Sequence, residues 1–197
     1  MLFETPELDA TLQQLVNSDW RNDFFDTVMP VLSDMKALFV VLGVLMLFAL
    51  IRRGPKELVL FLVLLAGAGI TDMSTNPIKK GVGRVRPHNA IAETYFVEDG
   101  KWQRRPADFA QYKDSGTSYP SAHAANTMCI AVLACLLWPG VRPWPLLLPL
   151  LVGYSRVYLG KHYPLDVLMG WLFGLVTATI VWLVWDRFIR PRILPGR

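Results

Sequence analysis

Three short stretches of this chain gather groups suited to holding and attacking an anion. Residues 79–87 read KKGVGRVRP, residues 119–123 read YPSAH, and residues 155–166 read SRVYLGKHYPLD. A phosphoryl group spreads its negative charge over several oxygens, so its site needs multiple donors and preferably fixed positive charge. Lys79, Arg86 and Arg156 supply the charge and Ser121 a hydroxyl. The N–H groups of Ser121, Ala122 and His123 fall where a helix is expected to begin, the end that attracts anions.

Breaking a phosphate ester without a metal requires a nucleophile at phosphorus and an acid for the departing oxygen. Histidine titrates in the range that serves both. The chain has three histidines. His162 precedes Asp166 by four residues, with Pro164 between them placed to start a helix. The carboxylate is therefore expected to return to the ring's Nδ1–H and leave Nε2 basic. His123, on a different helix, is expected to give up a proton and later to take one from water. His88, after Pro87, has no such partner and reads as structural, while Lys80 and Arg84 read as headgroup contacts or supports of the site. Both catalytic histidines are expected at helix ends rather than in a bundle core.

The elements that must position these groups are set by composition. Hydrophobic residues make up 53% of the 197 and charged residues 18%, below the quarter typical of soluble domains, which points to lipid. Apolar runs cover residues 37–51, 58–71, 124–141, 143–155 and 167–185. About 20 residues cross the hydrocarbon, so the shorter runs need polar extensions at headgroup depth or along a cavity. Five such runs leave too little polar sequence to coat a soluble globule. The expected fold is all-α: a single integral membrane bundle of five to six helices spanning residues 1–197.

Residues 1–35 form an acidic, amphipathic segment. Leu12, Leu15, Trp20, Phe24, Phe25, Val28 and Leu32 share roughly one helical face, and a break is expected near residues 17–19, as in a helix lying in the membrane interface. It lacks the basic region and cleavage site of a leader, so insertion is expected to use internal segments. Residues 88–119 are the one long polar stretch, expected as a loop or small lid near the active site. Cys129 and Cys135 lie in an apolar run without metal-ligand spacing and read as packing residues. The net charge of +4 is not arranged as a basic stripe with interleaved aromatics, so nucleic acid is not an expected partner.

If the runs alternate direction, all three polar motifs meet at one face. The other face carries Arg52, Arg53, Lys56, Arg142, Arg187, Arg190, Arg192 and Arg197 against Glu57 and Asp186. The positive-inside tendency makes that second face cytoplasmic and the active site extracytoplasmic, in the inner (plasma) membrane.

On these residues the chain resembles the type 2 phosphatidic acid phosphatase family, whose signature is K-x6-R-P, P-S-G-H and S-R-x5-H-x3-D. Here the parts read Lys79 with Arg86-Pro87, then Pro120-Ser121-Ala122-His123, then Ser155-Arg156 with His162 and Asp166. Ala122 replaces the usual glycine, and its N–H still donates if φ stays negative. The resemblance implies that Lys79, Arg86, Ser121, Ala122 and Arg156 bind phosphate, that His162 becomes a phosphohistidine, that His123 is the acid and that Asp166 orients His162. It implies no metal and no cofactor; the partners are a lipid phosphate substrate and membrane lipids, with no protein partner expected. Family members of this layout act on undecaprenyl diphosphate, phosphatidylglycerophosphate, phosphatidate or lipid A. The polar, basic mouth favours undecaprenyl diphosphate. The motifs are also similar to those of vanadium haloperoxidases, but those are large soluble proteins. A non-catalytic lipid-binding protein would be expected to lack His162 or His123.

Overall fold

The computed structural model describes residues 5–193. Each expected apolar run lies within or across a helix: α3 (Met35–Arg53), α4 (Lys56–Val82), α5 (Ala122–Leu137), α6 (Leu147–Tyr158) and α7 (Pro164–Val184). Ahead of them come α1 (Glu7–Gln14) and α2 (Asp23–Leu32), and a short α8 (Arg190–Ile193) follows. By length and composition, Met35–Arg53, Lys56–Asn89 and Pro164–Ile193 suffice to cross a bilayer, while α5 is apolar but shorter. Arg197 lies outside the described residues.

The bundle is built around α5, which packs on α4, α6 and α7. Ala124, Ala125, Cys129, Ala131 and Leu133 on α5 are fully buried. Among lipid tails as apolar as leucine, close fit rather than water exclusion holds helices together, and small residues permit it. On α7 a Cβ added at Gly170 would stand 2.5 Å from the carbonyl oxygen of Ser121, and one at Gly174 2.2 Å from that of Ala125. The two backbones therefore touch. Towards the other end, Leu60 and Leu64 of α4 meet Ile130, Leu133 and Leu137 of α5, and Trp138 donates to buried Glu57 at 2.6 Å. On α3 no residue is buried; its outer face, including Val44, Phe48 and Ile51, is more than half exposed.

Two expectations require correction. The polar stretch 88–119 is not irregular throughout, so the fold is mostly rather than entirely helical. It contains an antiparallel hairpin, β1 (Tyr95–Glu98) with β2 (Lys101–Arg104), pairing Glu98 with Lys101. Asp99 and Gly100 both take positive φ (51° and 74°), the backbone that closes a two-residue hairpin turn. Along the N-terminal segment the break comes later than expected. The helix continues through a π-helical turn at Leu15–Asp19 and stops at Trp20, and Asn22 then caps α2 by accepting from the Phe25 N–H at 2.9 Å. Asn17 does not break the helix because its amide is used across the fold: it donates to the carbonyls of Tyr95 (2.8 Å) and Tyr158 (2.6 Å) and accepts from Tyr95 N–H (2.8 Å).

One polar row of this N-terminal helix faces inward. Asp9, Gln13 and Asn17, at four-residue spacing, are buried, whereas Leu8, Leu12, Trp20 and Phe24 are exposed.

Candidate active site

Four chain segments deliver the motif residues to one end of the bundle. Lys79 sits in the last turn of α4, which Gly83 ends in the left-handed conformation (φ 66°) that glycine adopts without strain. The chain then turns through Arg84 to Arg86, which precedes a short 3-10 turn at Pro87–Asn89. Ser121 caps α5, its hydroxyl accepting from Ala124 N–H at 3.4 Å, so Ala122 and His123 open that helix. Arg156 lies near the end of α6, and Pro164 begins α7 two residues after His162.

The starts of α5 and α7 are joined directly, because Ser121 N–H donates to the Asp166 carbonyl at 2.9 Å. That bond removes the Ser121 N–H from the set expected to face phosphate, leaving its hydroxyl and the N–H groups of Ala122 and His123. Ala122 keeps negative φ, since only Glu93 and Asp99 among the described non-glycine residues are positive. The charges that bear on His123 are those of Arg156, Lys79 and Arg86, together with the ring of His162. No salt bridge involves Lys79, Arg86 or Arg156 among the described residues. Arg156 instead donates to the Ser33 hydroxyl at the end of α2.

His162 is 1% exposed, which corrects the expectation that it sits clear of the core. Its Nδ1 stands 3.5 Å from Asp166 Oδ2, longer than a well-formed hydrogen bond. Burial pushes its pKa down to about 4; Asp166 works upward against this, and Arg156 and Arg86 push it further down. At neutral pH the imidazole is therefore uncharged, with a lone pair available.

Asp166 is held more firmly than a motif could reveal. Oδ1 accepts from Arg84 at 2.6 Å, and Oδ2 accepts from the Ser118 hydroxyl at 2.5 Å and from Tyr163 N–H at 3.0 Å. Arg84, read from sequence as a headgroup contact or support, is a buried partner of the carboxylate. His88 is structural: its Nδ1 and its backbone N–H both reach the Gly160 carbonyl, at 2.8 and 3.1 Å, and its ring stacks on Phe96. Lys80 is exposed. Among the described residues no cluster of His, Cys, Asp and Glu is arranged to hold a metal, and Cys129 and Cys135 are free thiols in the helical packing.

The profile of the PAP2 superfamily matches residues 57–190, from the start of α4 to the last helical turns. The chain belongs to the PAP2 superfamily. Within this superfamily it is 38% identical to an undecaprenyl-diphosphatase of Sulfolobus acidocaldarius over 97 residues, 47% of this chain and 39% of that protein. It is 33% identical to a decaprenylphosphoryl-5-phosphoribose phosphatase of Mycobacterium tuberculosis over 73% of this chain and 69% of that one. The crystal structure of Aquifex aeolicus LpxE superposes with a TM-score of 0.69 at 24% identity, covering 92% of this PAP2 chain and 99% of the other, a likeness of fold. The chain spans about half the length of the first curated relatives it matches.

Sequence reasoning missed Ser118, Ser33 and Asp9. Asp9 left one trace, the polar spacing Asp9, Gln13, Asn17 opposite the apolar face; Ser118 and Ser33 left none.

Proposed function

We propose that this PAP2 chain is a membrane lipid phosphatase that works through a phosphohistidine, with Lys79, Arg86, Arg156, Ser121 and the Ala122 N–H holding phosphate. One observation carries the reading: three cations that form no salt bridge among the described residues converge on the histidines, Arg156 and Arg86 bearing on both imidazoles and Lys79 on His123, with His162 buried. Such an arrangement is costly unless an anion occupies it.

In the proposed reaction Nε2 of His162 attacks the terminal phosphorus as its bond to the leaving oxygen breaks, the oxygen that bridges the two phosphates of undecaprenyl diphosphate or the ester oxygen of a lipid monophosphate. That oxygen keeps the electron pair and takes a proton from His123. His123 then removes a proton from water, whose oxygen attacks the same phosphorus. The phosphorus–nitrogen bond breaks, inorganic phosphate leaves and the ring recovers its lone pair. Asp166 keeps the Nδ1–H tautomer and offsets the charge on the ring while it is phosphorylated.

On this reading the whole chain is one domain, α3 to α7 cross the inner membrane, and α1 and α2 lie in its interface with Leu8, Leu12, Trp20 and Phe24 towards lipid. The site opens extracytoplasmically, beside the 88–119 segment. Undecaprenyl diphosphate is the proposed substrate, supported by the Sulfolobus relative's name and by the basic mouth.

The test is phosphate release from undecaprenyl diphosphate, phosphatidylglycerophosphate, phosphatidate and lipid A in detergent, with and without EDTA. Release by the wild type, unaffected by EDTA, is expected; His162→Ala and His123→Ala should lose at least about a thousandfold. Wild-type rates in either variant refute the assignment, and chelator-sensitive release restored by magnesium refutes the metal-free route.

A further inference from the structure

Arg84 lies outside the residues proposed to touch phosphate, yet it is 2% exposed. Its two terminal guanidinium nitrogens donate to Asp166 Oδ1 and to Asp9 Oδ2, both at 2.6 Å, and its Nε donates to the Thr5 hydroxyl at 3.4 Å. The group lies 3.8 Å from the ring centroid of Tyr163. Asp9 is itself fixed, since its second oxygen accepts from Leu165 N–H at 2.8 Å. A buried charge on this scale persists only when it is paired and hydrogen-bonded. The pairing joins the first helix of the chain to the carboxylate beside His162.

We infer that Arg84 is a positioning residue for the His162–Asp166 pair and that Asp9, on the N-terminal helix, holds Arg84 in that role. The inference rests on the phosphatase reading above. With Oδ1 of Asp166 taken by the guanidinium, Oδ2 is left turned towards Nδ1 of His162, supported by Ser118 and Tyr163. Asp9 has a second effect. It shares the arginine's charge, so Asp166 keeps enough negative potential to stabilise the ring when it is phosphorylated. Lysine could not substitute fully, because a single ammonium lacks the planar fork that bridges both carboxylates.

The full chain in detergent is assayed for kcat, KM, competitive inhibition by vanadate and melting temperature. Arg84→Met is expected to lower kcat about 100-fold, the scale of a misplaced catalytic group. Its KM and vanadate inhibition constant should stay within about threefold of wild type, because the phosphate-binding groups are untouched. Arg84→Lys should recover part of the loss. Asp9→Asn keeps an acceptor for Leu165 N–H while removing the charge, and should lower kcat about tenfold with vanadate binding retained.

Wild-type kcat in Arg84→Met or in Asp9→Asn overturns the inference. Equal loss of kcat, vanadate binding and melting temperature in Asp9→Asn also overturns it, by reducing the pair to scaffold. If Arg84→Met does not fold, Arg84→Lys and Asp9→Asn are judged by the same criteria. Absence of phosphate release by the wild type would instead sink the phosphatase reading.

Discussion

Burial gives His162 a charge state as well as a place. Its pKa is lowered from 6.5 to about 4, so between those values the unfolded imidazole takes up a proton that the folded one refuses. Stability from this residue is complete above pH 6.5 and is lost as pH falls through the window, on the order of a few kcal/mol. His162→Gln should therefore show a shallower fall in melting temperature between pH 7 and 4.5 than the wild type; parallel slopes would contradict the assignment. The seven motif side chains could be singled out as candidates in the sequence because ionisable groups are costly at a membrane boundary. Arg84 resisted the same reading. Its meaning depends on partners 75 and 82 residues away, and the spacing within KKGVGRVRP does not say which of its cations turns inward.

At the scale of elements, the contact between α5 and α7 holds the start of α5, which carries His123, against the start of α7 beside His162. Gly174→Ala would drive a methyl against the Ala125 carbonyl and should cost about 1–3 kcal/mol, with a loss of turnover as the starts of α5 and α7 separate. Gly69→Ala, where an added Cβ meets nothing within 4 Å, should instead be neutral or gain about 0.5–1 kcal/mol. Melting temperature and phosphate release measured on both variants check this, and equal effects would remove the close approach from the account. The helices were readable because apolar runs of this length have few alternatives. The hairpin left only a two-residue signal, Asp99-Gly100 between strand-like residues, inside a stretch whose charge suggested a loop. The position of the N-terminal break was not readable, since Asn17 is kept helical by carbonyls of β1 and α6 that only the fold brings near.

For the molecule as a whole, the proposed orientation puts the hairpin outside the cell and Arg52, Arg53, Arg187 and Arg190 inside. With Cys129 and Cys135 changed to alanine, Lys101→Cys at the exposed hairpin should react with a membrane-impermeant maleimide in intact cells, while Arg53→Cys should react only after lysis. The reverse pattern inverts the topology. The hairpin is fastened rather than loose: Arg21 lies between Tyr95 and Trp102, 4.1 and 4.0 Å from their ring centroids, and Lys161 donates to the Val97 carbonyl at 3.2 Å. The inward-facing polar stripe of the first helix has a practical consequence for protein engineering. A water-soluble redesign could repaint Leu8, Leu12, Trp20 and Phe24 with charged side chains at little expense to the fold. The conventional remedy of making a helix greasier on its buried side would strip Asp9 and Asn17, and with them the hydrogen bonds that attach the first helix to the rest of the bundle.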